Sequence, residues 1–465
     1  MTFPSYFEAL DHKTLLADYP IGEAFVARYR AMSKDELFAI QNRQFLKLVA
    51  RGWDIPFYHR HWSAAGLERG DIRSLEDLSR IPAYDKSDVM RSIAESPPFG
   101  DFSCAEMVQR KAGRPPVILH TTSGTTGKPQ VLLFGPKGRE VGNLLVARHA
   151  RWVGLRPDDV VHSVYGHGMI NGGHYIREAY THFTNSIFLS AGTGIETRSA
   201  QQVQLMADFG ATVIVGFVDY VRKLAEVARA SGLVPGEHIP VRMIIGHLGT
   251  EDRAATEAAW GGARAFDWYG VGDTGAIAGE GPERDGLTVW EDAHVLEICD
   301  VDTGRPVLDD ETGDMVVTTL YKDDMAPCIR FNTHDVSAFR TDSAASGLVF
   351  RRIRGFLGRS DNMVKLKGIN VFPHAIGAIL ENRPELTGEY VCHMRRGSDL
   401  ADRMTVTIEH RDPGERAVPE LAELLRRGLG VEVEVALVAP GETAALTQID
   451  VRQKPIRLID ERPKA

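Results

Sequence analysis

The apolar positions of this chain are spaced differently in successive stretches, and each spacing predicts an element type. In the first hundred residues Leu37, Phe38, Ile40, Phe45, Leu46, Leu48 and Val49 fall close to a helical repeat, so this part reads as mostly helical. Ser33 followed by Glu36 is a capping-box signature for the start of that helix. Pro-containing turns follow at Ile55-Pro56 and Ile81-Pro82. From Val117 to about Asp300 short apolar runs alternate with helical stretches. Val213-Ile214-Val215-Gly216 reads as a buried strand, with a helix after it through Tyr220, Val221, Leu224, Ala225 and Val227. Val241 to Gly246 reads as the next strand and Glu251 to Trp260 as the next helix. Such alternation predicts α/β layers.

Between Gly286 and Phe350 the texture changes to strands and turns. Leu296-Glu297-Ile298, Val316 to Thr319 and Val349-Phe350-Arg351 read as strands, and Asp302-Thr303-Gly304 and Glu311-Thr312-Gly313 as turns between strands. This predicts a small β subdomain. A boundary falls near Gly358-Arg359-Ser360-Asp361. Beyond it a strand is expected at Met363 to Lys365, a helix near Ala375 to Glu381, strands at Met404 to Ile408 and Val431 to Val438, and a helix through Leu421 to Leu429. The fold class is therefore α/β: a large N-terminal domain over 1–358, of α/β layers plus the small β subdomain, and a small mobile α+β domain over 359–465. The locally basic run Arg452 to Arg457 reads, taken alone, as a solvated tail.

Composition narrows the class. A chain of 465 residues is too long for one ordinary core. Its 43% hydrophobic and 25% charged residues are ordinary for a globular protein. A formal net charge of −9 argues against a general nucleic-acid or anionic-membrane surface, while leaving room for a local basic pocket. Cys104, Cys299, Cys328 and Cys392 lack CxxC spacing and read as reduced thiols, not as a disulfide framework or a zinc site. Several of the 16 histidines lie between 162 and 182 without a carboxylate or cysteine at ligand spacing, so they read as structural or pocket groups. The first residues lack a basic and apolar leader pattern, and no apolar span approaches membrane length, so a soluble cytoplasmic location is expected.

The most informative run is Thr121-Thr122-Ser123-Gly124-Thr125-Thr126-Gly127-Lys128-Pro129, set between the apolar stretches Val117 to Leu119 and Val131 to Phe134. A generic Gly/Thr/Ser run reads as a flexible hairpin loop. This one packs hydroxyl and N–H donors with glycines that let the backbone come close, and ends on a lysine, a combination suited to polyphosphate oxygens. It is not a Walker A loop, because only Thr125 and Thr126 separate Gly124 from Gly127 and Pro129 stands where Ser or Thr is required.

Taken with later landmarks, the loop resembles the phosphate signature of the acyl-adenylate-forming superfamily: acyl-coenzyme A synthetases, peptide-synthetase adenylation domains and luciferases. Asp267-Trp268-Tyr269-Gly270 resembles the adenine motif, Thr333-His334-Asp335 the ribose motif, and Gly358 to Asp361 the hinge. Lys454 stands where a terminal catalytic lysine is expected, within Lys454 to Asp460. Asp361 to Pro373, Trp290-Glu291-Asp292, Tyr165 to Gly168 with Gly172-Gly173, and the stretch Pro56 to Leu78 resemble the phenylacetate–coenzyme A ligase branch. The likeness spans essentially the whole chain.

The resemblance implies that a carboxylate attacks the α-phosphate of ATP, giving acyl-AMP and pyrophosphate, and that coenzyme A then takes the acyl group. Ser123, Gly124, Thr125, Thr126, Gly127 and Lys128 would grip the β- and γ-phosphates. Asp267, Trp268, Tyr269 and Gly270 would bind adenine, with Tyr269 stacked on it, Asp335 would accept both ribose hydroxyls, and Arg359 would also bind the cofactor. Lys454, Asp273 and Lys128 would be catalytic, and Thr125 and Asp273 would hold Mg²⁺. Asp273 replaces a usual glutamate and Gly272 a usual Ser or Thr. Arg359 and Asp361 would form the hinge, and Lys367-Gly368 would enter the site for thioester formation. Tyr165, His167, Phe217, Gly246 and His247 would line the acyl pocket, which suits a flat aromatic acid; His247-Leu248 replaces a usual Ala-Glu pair. Implied cofactors are ATP, Mg²⁺ and coenzyme A, and implied partners a small carboxylic acid and coenzyme A, with no nucleic acid and no membrane. A homodimer is left open. A carrier protein or an amine is the alternative acceptor, and an inactive nucleotide-binding homologue the alternative class. The departures at Gly272-Asp273, His247-Leu248 and His334 favour a specialised acid over phenylacetate itself.

Overall fold

The computed structural model describes residues 4–104, 116–122, 130–249, 251–360, 364–366, 369–373, 376–380, 383–397, 402–412, 417–449 and 455–462. The N-terminal stretch is helical as the spacing predicts. Ser33 caps the helix Lys34–Gly52, its side chain accepting from the Glu36 N–H while the Glu36 side chain reaches back. Pro56 is not in a turn but opens the helix Pro56–Ala64, where its missing N–H costs nothing.

Strands β1 (Ile118–Thr121) and β2 (Val131–Phe134) form an antiparallel hairpin that brackets the Gly/Thr loop. Strands β3 (Val160–Ser163), β4 (Ile187–Ser190), β5 (Val213–Phe217), β6 (Met243–His247) and β7 (Arg264–Val271) are parallel, each joined to the next by a helical crossover. Their burial is nearly continuous in β5 and β6, as expected for strands covered on both faces. Strands β8 (Gly275–Glu280) and β9 (Leu287–Val289), then β13 (Arg352–Ile353), extend the sheet antiparallel, giving the order β13-β9-β8-β7-β6-β5-β3-β4. Because β3 leads outward to β4 while β5 starts the other half, the chain reverses direction between β3 and β5. Crevices for ligands open at the carboxyl ends of strands at such a point.

Strands β10 (His294–Cys299), β11 (Gly313–Thr319), β12 (Cys328–Ser337) and β14 (Gly358–Arg359) make the four-stranded β subdomain. The predicted strand at Val349 to Arg351 is displaced to β13, and the helix expected from Glu251 is Arg253–Ala259, capped by Asp252. The hairpin of β15 (Val364–Leu366) and β16 (Ile369–Val371) follows. The last sheet has β17 (Leu386–Arg396) and β18 (Asp402–His410) antiparallel at its centre, with β19 (Glu434–Val438) and β20 (Leu458–Asp460) added parallel outside. The helix Ala417–Leu429 buries Leu421 and Leu425 in this unit's own core. The basic run therefore does not end as a solvated tail: Arg457 is 3% exposed, its guanidinium donates to Glu389 Oε2 at 2.8 Å and the Tyr390 carbonyl at 2.9 Å, and it stacks on the Tyr390 ring. Among the described residues no helix is long and apolar enough to cross a membrane.

Trp290-Glu291-Asp292 is a structural hub. Trp290 is fully buried, edge-on to Phe25 and Trp152. Glu291 accepts from the Arg351 N–H and Nε, both at 2.7 Å. Asp292 receives both Nη atoms of buried Arg148, at 2.8 and 2.7 Å, together with the Tyr29 hydroxyl at 2.7 Å.

Candidate active site

A cavity of about 450 Å³ opens at the carboxyl ends of β3, β5 and β6. Tyr165 follows β3, while Phe217 and His247 end β5 and β6, so each points past the sheet into it. His247 lies against Trp268, ring centroids 4.2 Å apart, and stacks on Phe217 at 5.1 Å. Tyr165 meets Phe217 edge-on at 5.2 Å. His247 Nδ1 faces the Trp268 carbonyl at 3.0 Å; a carbonyl only accepts, so Nδ1 carries the proton. Rings in these orientations form flat apolar walls.

Of the residues expected at the acyl pocket, Tyr165, Phe217 and His247 line this cavity, and His167 and Gly246 do not. After Gly166 the chain turns away, and His167 Nε2 meets Ser190 Oγ at 2.8 Å while its N–H donates to Glu196. Gly246 lies inside β6 opposite Gly216, where a Cβ would collide with the Gly216 carbonyl. It is a packing glycine, not a wall.

The Asp267 to Gly270 segment forms a second wall. Asp267 Oδ1 accepts from the Leu248 N–H at 2.9 Å, fixing the turn after β6. Desolvation, reinforced by the Glu280 carboxylate, pushes the Asp267 carboxyl up to about 7. Its folded pKa therefore exceeds the unfolded value, so its contribution to stability is whole below the unfolded pKa and is lost as pH rises through about 7. Asp267→Asn keeps the acceptor but cannot ionise. Its stability relative to wild type should rise from about pH 5 to about pH 8 in denaturant titrations, and a difference that stays flat over that range would refute the assignment.

Tyr269 OH donates to Asp335 Oδ2 at 2.8 Å, and Arg359 Nη1 donates to Asp335 Oδ1 at 2.8 Å. The β12–β14 pairing sets Asp335 opposite Arg359 and so builds this contact into the sheet. All three residues face the cavity. His334 does not share their direction. Its backbone is left-handed (φ 57°), and its ring turns to Asp85 Oδ2 at 3.0 Å and Asp314 Oδ2 at 3.4 Å. Those carboxylates, Asp314 first, raise its pKa to about 9.

Asp273 does not line the large cavity. It lines a smaller adjoining cavity with Lys322 and Tyr84, and burial pushes its carboxyl up. Asp273 Oδ1 accepts from Gln130 Nε2 at 2.6 Å, and Lys322 Nζ donates to its carbonyl at 2.6 Å. Gln130 also closes the stem of the Gly/Thr loop: its carbonyl accepts from the Thr122 N–H at 3.0 Å and its N–H donates to Thr122 Oγ1 at 3.1 Å. Sequence reasoning passed over Gln130; its position directly after the loop was the available signal. Ser123, Gly124, Thr125, Thr126, Gly127, Lys128, Asp361, Lys367, Gly368 and Lys454 lie outside the described residues. Thr121 and Thr122 on one side, and Pro455 and Arg457 on the other, do line the large cavity. At its rim Arg222 Nη2 bridges Asp219 Oδ1 at 3.2 Å and Glu251 Oε2 at 2.8 Å.

Residues 368–462 match the family model of the AMP-binding enzyme C-terminal domain. Over 453 residues the chain is 30% identical to phenylacetate–coenzyme A ligase of Aromatoleum evansii, covering 93% of this chain and 96% of that one. The crystal structure of 2-hydroxyisobutyryl-CoA ligase in the postadenylation state with R3-HIB-AMP superposes with a TM-score of 0.79 at 26% identity, covering 93% of this chain and 91% of that one. The same ligase with 2-HIB-AMP and CoA in the thioesterification state gives 0.65 at 27% identity, covering 94% and 91%. A parallel-strand crevice walled by Tyr165, Phe217, His247 and Trp268, sharing one cavity with Tyr269, Asp335 and Arg359, is thus found in a chain that belongs to the phenylacetate–coenzyme A ligase family of AMP-forming acid–thiol ligases.

Proposed function

We propose that this protein activates an aryl or arylacetic acid with ATP, releasing pyrophosphate, and passes the acyl group from acyl-AMP to coenzyme A. The observation that carries this reading is the continuity of one cavity from the flat walls of Tyr165, Phe217, His247 and Trp268 to Tyr269, Asp335 and Arg359. The aromatic end takes the ring of the acid. Tyr269 lies against adenine, and Asp335, kept oriented by Tyr269 and Arg359, accepts the ribose hydroxyls. The 123–129 loop holds the β- and γ-phosphates on the stem tied by Thr122 and Gln130. Lys454 bridges the attacking carboxylate and the α-phosphate, a point charge that can follow the developing charge.

Asp273 is a hard oxygen donor that suits Mg²⁺, and the buried Gln130 Oε1 beside it has no hydrogen-bond partner among the described residues, so the donor set fits such an ion. When bound, the ion neutralises phosphate charge. The large domain is 1–358 and the small one 359–465. The closer likeness to the postadenylation form than to the thioesterification form supports two arrangements of these domains. Asp361 hinges between them and brings Lys367-Gly368 to the site for thiol attack.

The test is pyrophosphate release with ATP across benzoate, phenylacetate and their hydroxy- and amino-substituted forms. At least one acid should release pyrophosphate, and adding coenzyme A should yield its thioester. No release above background from the whole panel would sink the ligase reading. Release without a thioester would move the acceptor to a carrier protein or an amine.

A further inference from the structure

Asn171 is the first residue of the helix Asn171–Phe183 and is 8% exposed, that exposure facing the large cavity. Its Oδ1 accepts from Arg139 Nη1. Since a guanidinium only donates, the carboxamide orientation is fixed chemically: oxygen toward Arg139, nitrogen the other way. Nδ2 makes no hydrogen bond to any described residue, while Arg139 is itself held rigidly. Arg139 is 1% exposed, bonded through Nε to Glu178, and packed against the rings of Phe134 and Tyr175. The helix begins without a side-chain cap, so its positive end lies at the same corner. A bridge between Thr121 and Ile170 ties that corner to the stem of the Gly/Thr loop. Its donors are therefore set beside the place from which the phosphate-binding segment leaves.

We infer that Asn171 Nδ2, oriented by Arg139, holds the carboxylate of the acid before adenylation. This rests on the ligase reading above and adds the residue that recognises the substrate's charged end. A donor-only amide beside a helix N-terminus selects an anionic oxygen over a neutral one. Asn171 is a substrate-binding residue, and Arg139 a positioning residue that acts through it.

The experiment uses the full chain and the acid giving fastest pyrophosphate release in the panel, with its primary amide as a neutral inhibitor of the same shape. Asn171→Asp keeps an oxygen for Arg139, so the fold is retained, and turns an acceptor toward the cavity. Its KM for the acid should rise about 30-fold or more, while Asn171→Ala should raise it about 10-fold. In both variants KM for ATP should stay within about 3-fold, and inhibition by the amide should be no weaker in Asn171→Asp than in wild type. Acid and amide weakened alike would show a merely steric role and overturn the inference. So would an unchanged acid KM in a variant whose wild-type parent releases pyrophosphate. A wild type inert toward every acid would instead overturn the activity on which the inference rests.

Discussion

Lys454→Ala should slow pyrophosphate release by about two to three orders of magnitude, the usual loss when one positioned donor to developing charge is removed. Thioester formation from acyl-adenylate supplied ready-made should stay close to wild type, because that half-reaction needs coenzyme A, not the α-phosphate contact. The variant should fold normally. The segment after Lys454 is anchored without it: the Ile456 N–H donates to the Thr447 carbonyl at 2.8 Å, Arg457 is clamped by Glu389 and Tyr390, and Leu458 pairs with Cys392. Following pyrophosphate and thioester separately checks both halves. Near-wild-type adenylation would remove Lys454 from the mechanism.

The second large effect falls on stability, far from the chemistry. Asp292→Ala leaves the fully buried Arg148 guanidinium without its bidentate partner and the buried Tyr29 hydroxyl without an acceptor. Breaking such a pair from one side costs about 3–5 kcal/mol. The denaturation midpoint should fall accordingly, and Arg148→Met in the same chain should recover much of the loss by removing the stranded charge. A loss below about 1 kcal/mol would mean that Arg148 finds water or another acceptor, contrary to its burial.

The sequence carried the α/β alternation because Val213 to Gly216 and Met243 to Gly246 are short apolar runs and an amphipathic helix, Val218–Ala230, follows β5 directly. It did not reveal β17. There Leu386 is separated from the buried run Tyr390-Val391-Cys392 by Thr387, Gly388 and Glu389, and the register shifts within that gap, so no two-residue alternation appears. Arg457 was misread for another reason: composition sees a basic run, whereas Glu389 and the Tyr390 ring that bury it lie far back in the chain. At the site, Tyr165, Phe217 and His247 are implied by the family resemblance, and the structure sets them at or just past strand ends. His167 and Gly246 come from the family resemblance, and one turn and one strand position keep them off the cavity wall. Trp290-Glu291-Asp292 was legible as a family mark, while its physical role, a buried charge and ring cluster, needed partners from three distant segments.

The facing glycines of β5 and β6 bear on how such a site diversifies. Gly216 and Gly246 pair across the sheet one residue before Phe217 and His247, and neither has room for a methyl group. The backbone beneath the aromatic walls is thus held in place, and new acid preferences are open mainly to exchanges at the next positions along. A mutant library confined to 165, 217 and 247 would sample that freedom, whereas one that includes 216 and 246 would fill with misfolded members.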